Sequence, residues 1–195
     1  MNQHTEHLPK YVPAINYIIR TTKLLQEEIW IREWETKNVG RSATSNRGIS
    51  DIECRVRTLF GAAKEEIFEG GMESEFSRGL VSLVKEYGKS AIGILARFIV
   101  YEQVNEETAS EALRWLGQMD HPSSYNERLR LLEKCLRNSS ARVRDAASLG
   151  LASLDDPHAI PRLKQAIQRE TCAELREDME QVLAQLEKTH QCHSY

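Results

Sequence analysis

Proline and glycine are scarce in this chain, five and ten among 195 residues. A β-sandwich or barrel needs frequent turns and draws on both residue types, so the shortage argues against those folds and suits helices. Long apolar runs are also missing. No stretch approaches the roughly 18 apolar residues that cross a bilayer. Met1 to Pro9 is polar and lacks the apolar core of a secretory leader, so none is expected. Neither sign of charge dominates: 26 basic residues stand against 29 acidic ones, a net of −3. A dedicated nucleic-acid binder is usually basic, so a nucleic-acid partner is not expected. The four cysteines, Cys54, Cys135, Cys172 and Cys192, form no CxxC pair, which points to a reducing compartment. These absences together place the chain in the cytoplasm, without a membrane partner.

Catalytic signatures are wanting too. HExxH, GxSxG and a glycine-rich phosphate loop do not occur, and Gly70-Gly71 lacks the Lys-Ser/Thr that a phosphate loop needs. His190, Cys192 and His193 are too few and too closely set for a structural zinc, which wants four ligands. The chain reads as non-catalytic, with no cofactor and no metal.

What the chain has in quantity is helical periodicity. After a polar tail over 1–11, apolar residues recur three and four apart from Ile15 to Ile29, predicting a helix over 12–37. Trp30 and Trp34 widen its apolar stripe. The stretch 38–50 has glycine and serine but no periodicity and reads as a loop. A helix capped by Ser50 or Asp51 is expected to reach about Glu69, with Ile52, Val56, Phe60, Ala63 and Ile67 inward, stopped by Gly70-Gly71. Further helices are expected over 73–87, 89–100, 106–119, 124–137, 140–154, 158–169 and 173–188. Ser140 is a natural cap for one and Thr171 for another.

Some of these helices repeat. Val143-Arg144, Ala147, Gly150-Leu151 and Leu154 recur 32 residues on (143 to 175) as Leu175-Arg176, Met179, Val182-Leu183 and Leu186. Counting 35 back (143 to 108) finds Thr108, Ala112, Trp115-Leu116 and Met119. The intervening helices align as well: Leu95, Phe98 and Ile99, then Leu132, Cys135 and Leu136, then Leu163, Ala166 and Ile167. Self-similarity at this period marks an all-α helical solenoid of antiparallel hairpins. The expected division is an N-terminal helical region or cap over 12–87, repeats over 88–188 and a polar tail over 189–195.

The run Ser140 to Pro157 followed by Ala159 to Leu163 resembles HEAT-like repeats, including the short kind named after phycobilisome lyases. Val143-Arg144, Ala146-Ala147, Gly150 and Asp156-Pro157 carry the match. It is strongest over 124–187, weaker over 90–123 and absent before residue 88. The resemblance implies stacked hairpins and a concave binding surface rather than one activity. It also implies that Arg144, and Arg176 at the same repeat position, bridge neighbouring repeats through an acid such as Asp155 or Asp156.

A solenoid presents surface, so the expected function is protein interaction: an adaptor, inhibitor or assembly factor. The second helix of each hairpin supplies the candidate contacts Arg114, Gln118, Arg142, Asp145, Ser148 and Glu174. Trp30 and Trp34 lie on one helix face and are either core or a surface for a partner or a second copy. Two alternatives stay open. A bilin-lyase-like subunit would hold a tetrapyrrole against Tyr101, Trp115 and Tyr125. A nucleic-acid binder would use the region from Arg137 to Arg144, with Lys134, Arg162, Lys164 and Arg169 nearby.

Overall fold

A computed structural model of the chain describes residues 45–69, 72–101 and 104–192. They belong to a compact unit running from Arg41 to Tyr195. The expected helix over 12–37, with Trp30 and Trp34, lies outside the described residues, as does the Gly70-Gly71 stop. Among the described residues all regular structure is helical: α1 (Ser45–Ala62), α2 (Glu75–Tyr87), α3 (Lys89–Tyr101), α4 (Glu106–Gln118), α5 (Tyr125–Cys135), α6 (Ala141–Leu154), α7 (Ile160–Ile167) and α8 (Ala173–Cys192). Single 3-10 turns lie at Ala63–Glu65, Pro122–Ser124 and Pro157–Ala159.

The helices stack in two rows. One row runs α2, α4, α6, α8, each packed on the next. Along the other, α1 packs on α3 and α3 on α5. The rows are tied together where α1 meets α2, α5 meets α6 and α7 meets α8. The core lies between them. Phe60, Phe76, Leu95, Leu113, Leu132, Leu151, Leu163 and Met179 are all nearly or fully shielded from solvent. At the α1 end Phe60 meets the Phe76 ring edge-on at 5.2 Å between centroids.

Most of the apolar positions that repeat in the sequence are buried, while Trp115, Leu154, Ile167 and Leu183 are half-buried. Thr108, Ala112 and Leu116 of α4, Val143, Ala147 and Leu151 of α6, and Leu175, Met179 and Leu186 of α8 all face inward. Cys135 behaves as a core residue, and its burial pushes the thiol pKa up to about 12.

The row is tightest between α4 and α6, where Gly117 meets Gly150. A Cβ on Gly117 would lie 2.5 Å from the Gly150 carbonyl oxygen and 2.8 Å from its carbonyl carbon. A Cβ on Gly150 would lie 3.0 Å from the Leu113 carbonyl oxygen. The expected small residue Gly150 is therefore at a crossing. Its counterpart is Gly117, not the Trp115 that a 35-residue shift aligns with it.

Local chemistry sets the helix ends, and it corrects several expectations. Helix α1 begins at Ser45, inside the expected loop, and ends at Ala62 rather than near Glu69. The chain turns extended at Glu66, whose carboxylate accepts the amides of Glu75 at 2.7 Å and Phe76 at 3.1 Å. An acid there satisfies two orphan donors at the start of α2. Drawn out of the helix by that contact, the segment leaves Ile67 87% exposed instead of inward. Ser74 and Ser77 complete a reciprocal cap on α2. Ser140 occupies the cap position of α6, but its hydroxyl makes no capping bond; its amide instead donates to Asn138 Oδ1 at 2.9 Å. Helix α6 closes on Asp155 in the left-handed region, φ 50°. The hydroxyl of Thr189 donates to the Asp155 carboxylate at 3.0 Å. That contact ties down the last turns of α8, which continues to Cys192 rather than stopping at Lys188.

Candidate interaction face

The candidate contact residues sort onto the row α2, α4, α6, α8. Arg114 and Gln118 of α4, Leu149, Ala152 and Ser153 of α6 and Gln185 of α8 line one groove of about 320 Å³. Leu149 is 40% exposed, a large apolar side chain left on the surface of a helix that is otherwise well covered. Between α2 and α4 a second groove, about 400 Å³, is lined by Glu73, Ser77, Arg78, Val81, Ser82, Lys85 and Trp115. Trp115 is half-buried there. Its indole N–H donates to Glu111 Oε1 at 2.7 Å, which holds the ring in one orientation and satisfies its single donor.

The other expected contacts fall out unequally. Arg142 is exposed and paired with Glu107 at 2.8 Å. Asp145 is half-buried, 3.8 Å from Arg114; burial raises its carboxyl pKa, with Arg114 opposing and Asp178 adding to the rise. Glu174 is exposed at the start of α8. Ser148 is not on the surface at all. It is fully buried, and its hydroxyl donates to the Asp145 carbonyl oxygen at 2.8 Å, so it cannot touch a partner.

Residues assigned a structural role are built in. Asp156 accepts from the His158 amide at 2.8 Å and from the Tyr125 hydroxyl at 2.7 Å, and Pro157 follows at the start of its turn. Arg144 does bridge neighbouring elements, but its acid is Glu170, not Asp155 or Asp156. Nε and Nη2 donate to the two Glu170 oxygens at 2.7 and 2.8 Å. Nη1 donates to the carbonyls of Asn138 and Ser139 at 3.0 and 2.9 Å. The Arg144 hydrogen bond, opposed by burial and helped by the amides of Cys172 and Thr171, holds the Glu170 pKa at about 2. Glu170 also takes over the capping role expected of Thr171, accepting the amides of Thr171 and Cys172 at 3.0 Å. The sequence offered little sign of this, since Glu170 looks like an ordinary charged residue at a helix end. Arg176 lacks the same setting and is exposed.

The basic cluster around residue 142 does not present itself as one patch. Arg142 pairs with Glu107 and Arg144 with Glu170, while Arg137 donates to Gln165 at 3.2 Å and Lys164 pairs with Glu187 at 2.7 Å. The aromatic candidates are also separated. Trp115 lies in the α2–α4 groove, and Tyr125 lies in another depression with Asp120, Asn126 and Arg128. Burial and Asp156 push the Tyr125 hydroxyl pKa up to about 12. Arg128, 1% exposed, donates to the Leu116 carbonyl at 2.5 Å and so closes the end of α4. Among the described residues, no three His, Cys, Asp or Glu are placed to hold a metal ion, and no helix is long and apolar enough to cross a membrane.

No curated protein and no solved structure matches the chain. The family model for HEAT repeats does match, over residues 99–184, from the end of α3 to the middle of α8. The stacked rows, the repeating buried positions and that match agree: the described residues form an all-α helical repeat, and residues 99–184 of it are similar to HEAT repeats.

Proposed function

We propose that the chain is a non-catalytic intracellular interaction module, an adaptor, inhibitor or assembly factor, that binds a protein partner through the α2–α4–α6–α8 face. One observation carries this reading. Two neighbouring grooves on that face expose Leu149 and the Trp115 ring among side chains of mixed charge. An apolar anchor in a groove with a polar rim is the anatomy of a protein-binding site. HEAT repeats commonly serve such interactions, because stacking leaves a long, continuous face free. The basic residues from Arg137 to Arg144 are largely engaged by acids and carbonyls, which favours a protein over a nucleic acid.

The test is affinity capture of the tagged chain from extract of its own cells, with and without nuclease, beside Leu149→Arg. A stoichiometric protein that survives nuclease and is lost with Leu149→Arg, while the circular dichroism spectrum is unchanged, is the expected result. Capture of nothing, or only of material that nuclease removes, rejects the reading.

A further inference from the structure

The face described above is electrically polar along the row, and this specifies the partner. At one end, Arg78 and Lys85 of α2 are exposed and line the α2–α4 groove, with Glu73 at its edge. Arg114 of α4 follows, 3.8 Å from Asp145 of α6. Beyond that junction the sign changes. Asp178 of α8 is close enough for its charge to bear on the Asp145 carboxyl, and Glu174 sits one turn before Asp178 on α8. Between the ends the charges cancel: Arg142 is matched by Glu107 and Glu111 is buried under Trp115. The apolar floor runs from Val81, between Arg78 and Lys85, through Trp115 to Leu149 and Ala152 in the middle of the row.

We propose that this face receives an amphipathic helix of a partner protein, laid across α2, α4, α6 and α8, with acidic residues over α2 and basic residues over α8. The proposal rests on the protein-interaction reading above. Charge complementarity selects the sign at each end, because a like-charge pairing is penalised as an opposite one is favoured. The apolar middle selects an apolar stripe. Helicity follows from backbone bookkeeping. This face is built of helices whose amides and carbonyls are already bonded to one another, so it offers no edge to an extended strand. A strand pressed into the grooves would leave its own N–H and C=O groups dry and unpaired, whereas a helix brings them satisfied. Neighbouring helix axes lie about 8–10 Å apart, so three steps from α2 to α8 span roughly 25–30 Å. At 1.5 Å per residue that accommodates a helix of about 17–20 residues.

A photo-reactive amino acid at Ser82 of α2, and in a second variant at Gln181 of α8, tests this in the full chain within extract of its own cells. Both positions are exposed, and Gln181 shares a helix face with Asp178 and Gln185. The cross-linked peptides are read by mass spectrometry. Ser82 should capture the acidic part, and Gln181 the basic part, of a single segment with helical apolar spacing. The paired reversals Arg78→Glu with Lys85→Glu, and Glu174→Lys with Asp178→Lys, should each weaken capture about tenfold or more. A protein cross-linked with the opposite polarity, or with one sign at both positions, overturns this inference and leaves the interaction reading standing. Protein cross-links at neither position, or links only to nucleic acid, overturn both.

Discussion

Glu170 shows how much one side chain can join. It accepts two donors from Arg144 and the amides of Thr171 and Cys172, so it ties α6 to the start of α8 and caps the latter. Its pKa is lowered from 4.5 to about 2. A carboxylate depressed in this way contributes stability that is fully present above its unfolded value and is lost as pH falls through the folded one. At pH 7, Glu170→Gln should therefore cost about 2–3 kcal/mol in urea unfolding, since a buried ion pair loses one charge and strands the other. The gap between the two proteins should narrow as pH is lowered from about 4.5 toward 2. A gap independent of pH across that window would show that the amide caps, rather than the ion pair, supply the effect. Sequence reading offered Asp155 or Asp156 as the acid for Arg144, whereas the pair is with Glu170. Asp155 and Asp156 were attractive because they are near in the chain, but Asp156 is occupied by Tyr125 and His158, and Asp155 by Thr189 and Gln185.

At the scale of elements, helix periodicity was legible and helix ends were less so. Apolar spacing located each described helix, because burial of one stripe is a local property of the sequence. The ends answered to partners elsewhere. Glu66 caps a helix that begins nine residues later, and Ser140, the expected cap of α6, makes no capping bond while its own amide donates to Asn138. Helix approach was half-legible: Gly150 stood out, but Gly117 did not, since the residue that faces Gly150 across the crossing is not the one that shares its repeat position. This crossing makes a sharp prediction. Gly117→Ala should destabilise by about 1–3 kcal/mol despite alanine's better helix propensity, because its Cβ meets the Gly150 backbone, which cannot rotate away. Gly79→Ala should cost less, since its nearest obstacle, at 2.6 Å, is the end of the mobile Leu59 side chain. Thermal midpoints of the two variants decide it; equal losses would mean that α4 and α6 part more easily than their packing implies.

On the scale of the whole molecule, stability follows from stacking. Each helix of a row is covered by its neighbours, and the last has cover on one side only. Helix α6 lies between α4 and α8, with Ala146, Ala147 and Leu151 fully buried. Among the described residues helix α8 ends the row, and exposed residues outnumber buried ones along it. Hydrogen exchange should thus be slowest in α4 and α6 around Gly117 and Gly150. Amides of α8 beyond Leu186 should exchange at least about tenfold faster, held by surface contacts such as Thr189–Asp155 and Lys164–Glu187. Uniform exchange over α6 and α8 would mean that the stack opens only as a unit. The proposed interaction face is a property at this scale too: its passage from basic to acidic emerges only when α2, α4, α6 and α8 lie side by side.

The sequence by itself determined that the chain is helical, that its helices repeat and which residues of each repeat turn inward. Those facts depend on spacing of three and four residues and on a period near 32–35, both written along the chain. Tertiary structure decided which charges pair and which are left to act. Arg144 found Glu170 and Arg142 found Glu107, 26 and 35 residues away, so the apparent basic cluster dissolved. Tertiary structure also decided that Ser148 is core while its neighbour Leu149 is surface, a difference of one 100° step around α6. Such assignments depend on where a second helix happens to lie, and no local pattern of residues carries that information.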